Sequence, residues 1–262
     1  MHRTGLYVPG NRPDRFGSAR ASGADLVVFD LEDAVPVADK GRAREAVRDH
    51  LRETAPAAPA LEVRVNDGDD DDLRAVAELP LAVGLRLPKV EDVAVLDRVA
   101  ALAPGRPVTA LLETARGVLA ALRIAEHPAV TAIALGESDL RSELGGGQAV
   151  LDHARLTAVF AARAAGLPAP MASVYPGIRD LDGLTTDTRG AAQLGLFGRM
   201  AVHPAQLPVI AAVFAPSDDE VAWAEEVIAA LRSGGVTTLR SGEMVDPAMR
   251  GRAERILRLA HP

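Results

Sequence analysis

Cysteine is absent from the 262 residues, which excludes a disulfide scaffold, a thiolate zinc site and a cysteine nucleophile. That absence suits a reducing compartment, and a cytoplasmic location is expected. Aromatic residues are scarce as well, at 3% of a chain that is 48% hydrophobic. The core must therefore be built from Ala, Val, Leu and Ile, a composition suited to buried parallel strands. Basic residues are outnumbered, 29 Lys and Arg against 36 Asp and Glu, for a formal net charge of -7. Nucleic acid is not an expected partner, because phosphate binding needs a concentrated basic surface. No apolar run reaches the ~18 residues needed to cross a membrane. MHRTGLYVPGNRPDRF also lacks the apolar stretch of a secretion signal, so a soluble protein with no membrane partner is expected.

The chain instead alternates short apolar runs with longer helix-like stretches, the pattern of repeated βα units around a parallel sheet. Eight runs stand out: GLYVP (5–9), LVVFDLED (26–33), LEVRVN (61–66), VGLRLPKV (83–90), VTALLET (108–114), VTAIALGESD (130–139), PMASVYPG (170–177) and FGRMAVHP (197–204). The seventh alternates poorly and reads equally well as a loop. Helical spacing of apolar residues marks 42–51, 71–78, 93–102, 115–125 and 154–165, the last stopped by Gly166. One α/β domain of ~250 residues accommodates this pattern, and the expected fold is a (β/α)8 TIM barrel over 1–204 with a C-terminal helical extension over 205–262. The extension opens with PSDDEVAWAEEVIAAL, a capped amphipathic helix, and continues through a turn-rich loop into a last helix. It is expected to pack on the barrel and on a neighbouring subunit.

Catalytic groups of such barrels sit at the C-terminal ends of the strands. Here those ends carry Glu32 and Asp33, Arg64 and Asn66, Lys89, Glu113, Glu137 and Asp139, and His203. A barrel brings these ends within reach of one another. Several carboxylates beside Arg and Lys, with no Cys and no paired His, point to a hard cation and an anionic ligand, and oxygen ligands select Mg2+. Glu113 and Asp139, closing adjacent strands, are the best ligand pair; Glu137 either alternates away or pairs with a basic residue. His203 stands before a proline as a helix-start residue, Trp223 and Phe214 are packing residues of the tail, and Gly145 to Gly147 form a loop without a P-loop's lysine and serine.

Taken in order, LYVPGNRPDRF, ASGADLVVFDLEDAV, VRVN, LPKV, LLETARGVL, ALGESDL, AARAAGL, MAVHPAQ and SGEMVDP resemble the beta subunit of citrate lyase and its stand-alone relatives. These belong to the HpcH/HpaI aldolase group with malyl-CoA and citramalyl-CoA lyases, and the resemblance runs from about Leu6 to Pro247. It implies Glu113 and Asp139 as Mg2+ ligands, Arg64 as the grip on a substrate carboxylate, and Asp246 as an acid/base group entering the site of a neighbouring subunit. Glu32 and Asp33 join Asp246 and Arg64 as candidate catalytic groups. Arg12, Arg15, Lys40 and Lys89 are candidate contacts for coenzyme A phosphates or for the Glu32 and Asp33 pair. The expected activity is a carbon-carbon lyase using a coenzyme A thioester and a small carboxylate or 2-oxo acid, in a homo-oligomer of trimeric form. A malyl-CoA-type thioesterase and a non-catalytic subunit of a citrate lyase-like complex are the alternatives.

Overall fold

The computed structural model describes residues 2–52, 59–232 and 237–260. The chain divides into two units, residues 1–213 and 214–262. In the first, seven parallel strands, β1 (Thr4–Pro9), β2 (Leu26–Asp30), β3 (Ala60–Arg64), β4 (Val83–Leu87), β5 (Val108–Leu112), β6 (Val130–Leu135) and β7 (Arg199–Ala201), form one curled sheet in the order β6-β5-β4-β3-β2-β1-β7. Every residue of β2, β4 and β5 is buried, as expected of strands covered by helices on one face and by the sheet's own interior on the other.

The helices are α1 (Phe16–Arg20), α2 (Lys40–Arg52), α3 (Asp70–Ala77), α4 (Val93–Leu102), α5 (Ala115–Leu119), α6 (Ala121–Ala125), α7 (Glu137–Leu144), α8 (Gln148–Ala164), α9 (Leu181–Gln193), α10 (Leu207–Phe214), α11 (Asp218–Arg232) and α12 (Arg250–Ala260). Side-chain caps start several of them: Asp69 accepts the Asp71 and Asp72 amides before α3, Asp92 the Ala94 amide before α4, and Thr114 the Gly117 amide before α5. Gly166, at φ 73, ends α8 as the sequence indicates.

Eight hydrogen-bonded strands were expected in the barrel, and among the described residues the parallel sheet has seven. The run 170–177 supplies only an isolated bridge, Ala172 to Arg199 on β7. Its prolines, Pro170 and Pro176, have no amide to donate to a ladder. On the side of β6 the contact is made by a side chain, the Ser173 hydroxyl donating to the Leu135 carbonyl. Other boundaries shift too. The 115–125 helix is two pieces broken at Ala120, and the GESD segment assigned to the sixth strand opens α7 instead.

The second unit packs α11 and α12 around Ala224, Val227, Leu231, Val245, Ala253 and Ile256. A two-stranded hairpin pairs Thr237–Thr238 with Met244–Val245; residues 233–236 of the expected turn-rich loop lie outside the described residues. Trp223 donates to Glu243 at 2.8 Å and lies under the Arg252 guanidinium, so it packs the tail as expected. No described helix is long and apolar enough to cross a membrane.

Candidate active site

Strand ends of the first unit surround a cavity of about 370 Å³. β3 finishes on Arg64, whose Nε and Nη2 donate to the two oxygens of Asp30, the last residue of β2, at 2.7 and 2.6 Å. Nη1 donates to the exposed Asp33 at 3.1 Å. It also lies 3.0 Å from Glu32 Oε2, at an angle that makes no hydrogen bond, so that oxygen is sealed without a partner. Glu32 Oε1 accepts from Lys89 Nζ at 3.1 Å. Burial pushes the Glu32 carboxyl up, against the pull of Arg64.

Glu113 directly follows β5 and is 3% exposed. Its Oε2 accepts the Lys89 amide at 3.0 Å, and Lys89 holds φ at 50, a left-handed conformation costly for a residue with a side chain. Gly136, at the turn from β6 into α7, lies against the same carboxyl, where an added Cβ would stand 2.7 Å from Glu113 Cδ. Glycine is therefore what lets this turn close over Glu113. Asp139 reaches the cavity from the first turn of α7 and not from a strand end. Burial first, then the negative charges of Glu32 and Asp139, holds the Glu113 carboxyl up to about 7.

Arg64 and Lys89 are engaged with Asp30, Glu32 and Asp33, and among the described residues no basic side chain forms an ion pair with Glu113 or Asp139, so a divalent cation would supply the positive charge these two lack. Among the described residues no group of three or more His, Asp or Glu is placed to hold a metal by itself. Mg2+ needs no such cage, because it commonly takes one or two carboxylates and fills its octahedron with water and substrate oxygens. Glu113 and Asp139 fit that pattern. Glu113 Oε2 is fixed by the Lys89 amide, while no described residue donates to its Oε1.

The other residues singled out from the sequence fall in different places. Lys40 Nζ donates to the Leu31 and Glu32 carbonyls, at 3.1 Å each, and to Asn66, so it fixes the backbone that carries Glu32. Arg12 is engaged with its neighbour Asp14, and Arg15 is exposed; neither lines the cavity. Glu137 takes the second of its two expected courses, pairing through both oxygens with Arg155 at 2.8 and 2.7 Å. His203 Nδ1 caps the turn at Pro204 by accepting the Ala205 amide, as a helix-start residue should. Asp246 belongs to the second unit, where Oδ1 accepts the Ala248 amide at 2.8 Å and caps a short turn.

Three residues of the site were missed: Asp30, Tyr7 and Arg86. The guanidiniums of Arg64 and Arg86 lie 5.1 and 5.8 Å from the centre of the Tyr7 ring. Strand alternation held the signal, since Leu26, Val28 and Asp30 share one face of β2 and Glu62 shares a face of β3 with Arg64.

Residues 3–204 match the model of the HpcH/HpaI aldolase/citrate lyase family. The chain belongs to that family. A citrate lyase subunit beta-like protein of Mycobacterium tuberculosis is 38% identical over 269 residues, covering 97% of this chain and 94% of that protein. A (3S)-malyl-CoA thioesterase of Cereibacter sphaeroides is 37% identical over 257 residues, covering 93% and 89%. The crystal structure of protein CitE from Mycobacterium tuberculosis in complex with magnesium, acetoacetate and coenzyme A is 36% identical with a TM-score of 0.84, covering 99% of this chain and 98% of that one.

Proposed function

We propose that this member of the HpcH/HpaI family is a Mg2+-dependent carbon-carbon lyase. Its substrate is a 3-hydroxyacyl-CoA such as citramalyl-, malyl- or citryl-CoA, and its products are acetyl- or propionyl-CoA and a 2-oxo acid; the reverse synthesis uses the same groups. The observation that carries this reading is Glu113, a buried carboxyl pushed up to about 7 that lines one cavity together with Asp139 and Arg64. The magnesium and coenzyme A complex of a relative supports it.

Glu113 and Asp139 would hold the Mg2+, which when bound would supply Lewis-acid polarisation of the oxo or hydroxy acid's oxygen. Arg64 aims its remaining N–H groups at the acid's carboxylate, from a position fixed by the fork to Asp30. Lys89 and Lys40 hold the Glu32 loop in place. In cleavage, Asp246 takes the hydroxyl proton, the carbon-carbon bond breaks, and the thioester enolate receives a proton from the same acid. In this proposal Asp246 arrives from a neighbouring copy within a homotrimer, which gives the extension 205–262 its purpose. The fold then works as a (β/α)8 barrel in which segment 170–174 stands as the remaining stave.

Hydrolysis of malyl-CoA is the second reading, favoured by the similarity to a (3S)-malyl-CoA thioesterase. Incubation with a panel of acyl-CoA thioesters, with Mg2+ and with chelator, separates the two by mass spectrometry. Acetyl- or propionyl-CoA with a 2-oxo acid is expected; free coenzyme A with intact hydroxy acid would replace the lyase by the hydrolase.

A further inference from the structure

Arg86 lies on β4, 2% exposed, and donates through Nε to Glu62 Oε2 at 2.7 Å. The Thr109 hydroxyl occupies Glu62 Oε1 at 2.8 Å, so both oxygens of that carboxylate are engaged. Among the described residues neither Nη1 nor Nη2 of Arg86 has a protein acceptor. Nor is either one sealed, as the Nε atoms of Arg106 and Arg199 are. Both therefore front open space.

That space is the active cavity. Arg86, Ala134 and Met171 wall it and also wall a chamber of about 190 Å³ nearer the N-terminal ends of the strands. Arg86 is thus a cationic floor beneath a rim of carboxylates, and the Tyr7 ring that it meets lines the same cavity. Charge balance against Glu62 explains one nitrogen of the guanidinium and leaves the planar pair of terminal nitrogens unexplained. Such a pair matches a carboxylate with two parallel hydrogen bonds, and leaving it unmatched in a buried site is costly. Arg64 differs, because its fork is already closed on Asp30.

We propose that Nη1 and Nη2 of Arg86 bind the distal carboxylate of a dicarboxylic 2-oxo acid, so that the cavity selects an oxaloacetate-type acid over pyruvate. The inference rests on the lyase reading only for the acid's role as a reaction partner. Its test is a binding measurement: calorimetric titration of the folded protein with oxaloacetate and with pyruvate in the presence of Mg2+. Arg86→Gln alone strands the Glu62 charge, so the decisive protein is the double variant R86Q/E62Q, which removes both charges and keeps an acceptor for Thr109; E62Q is its control. Wild type and E62Q are expected to prefer oxaloacetate. The double variant is expected to lose roughly 30-fold or more in oxaloacetate affinity while pyruvate affinity stays within about threefold. A double variant that retains the preference would make Arg86 a structural partner of Glu62 and overturn the proposal. It is equally overturned by a wild type with no preference or with no binding of either acid. A preference that disappears with Arg86 in a protein that cleaves no thioester would uphold the subsite and reject the lyase reading alone.

Discussion

Replacing Glu113 with Gln removes a charge and keeps the shape of the side chain, including an acceptor for the Lys89 amide. In the metal-free protein the folded carboxyl is pushed from its ordinary 4.5 to about 7 by burial and by the neighbouring carboxylates. Between those two values the folded state binds more protons than the unfolded state, so this group's contribution to stability falls as pH rises and reaches its floor above 7. At ~1.4 kcal/mol per pH unit the fall is about 3 kcal/mol, an upper figure because real cavities relax and admit water. For a chain of this size that is a shift in Tm of roughly 5 to 10 °C. Metal-free E113Q should therefore melt above wild type at pH 8, with the difference shrinking toward pH 5. Added Mg2+ should raise the Tm of wild type and leave E113Q unmoved, since only a state that binds ligand gains from it. Scanning calorimetry at pH 5, 6.5 and 8, with Mg2+ and with chelator, reads both effects. A metal-free E113Q protein no more stable than wild type at pH 8 would refute the buried charge, and one still stabilised by Mg2+ would refute the ligand assignment.

Asp139 is exposed, so Asp139→Ala should change stability by no more than about 0.5 kcal/mol while abolishing Mg2+-dependent turnover; full activity across a magnesium titration would remove it from the metal site. Arg64→Lys keeps a charge and loses the fork, so KM for the 2-oxo acid should rise about tenfold or more, whereas an unchanged KM in a protein of lowered Tm would mark a structural arginine paired with Asp30. Asp246→Ala and Arg64→Ala should each be inactive, yet subunit-exchanged mixtures should regain activity, because one interface then joins an intact cavity to an intact tail. Tagged-subunit pull-down establishes exchange, and mixed oligomers that stay inactive would reject the shared site.

The parallel sheet was legible because its strands are largely aliphatic runs, and seven of the eight runs align with β1 to β7. The seventh run misleads because Pro170 and Pro176 forbid a ladder, and its bond to β6 comes from Ser173, which a strand pattern does not register. Helix α9 was overlooked because Thr185, Thr186 and Thr188 interrupt the apolar spacing; their hydroxyls bond back to helix carbonyls in the preceding turn. In the site, charges at the ends of runs were easy to find, whereas Asp30, Glu62 and Arg86 lie inside runs that read as buried. Alternation would have placed Asp30 beside Val28 and Leu26 on the inward face, but an unpaired charge in a strand interior looks prohibitive until its partner on the next strand is known. Partners such as Arg64 for Asp30, 34 residues apart, follow from the strand register Asp30↔Arg64 and from nothing local in the chain.

Whether this cavity breaks a carbon-carbon bond is decided by the fate of its thioester substrates. Citryl-CoA, citramalyl-CoA and malyl-CoA should each be incubated with the purified protein and Mg2+, with every product quantified over time by mass spectrometry, beside a Glu113→Gln control. From the thioester that the cavity accepts, acetyl-CoA and a 2-oxo acid should accumulate in equal amounts, with neither product formed by the variant or in the presence of chelator. Free coenzyme A accumulating in step with the uncleaved hydroxy acid, and no 2-oxo acid at any time, would contradict the lyase reading.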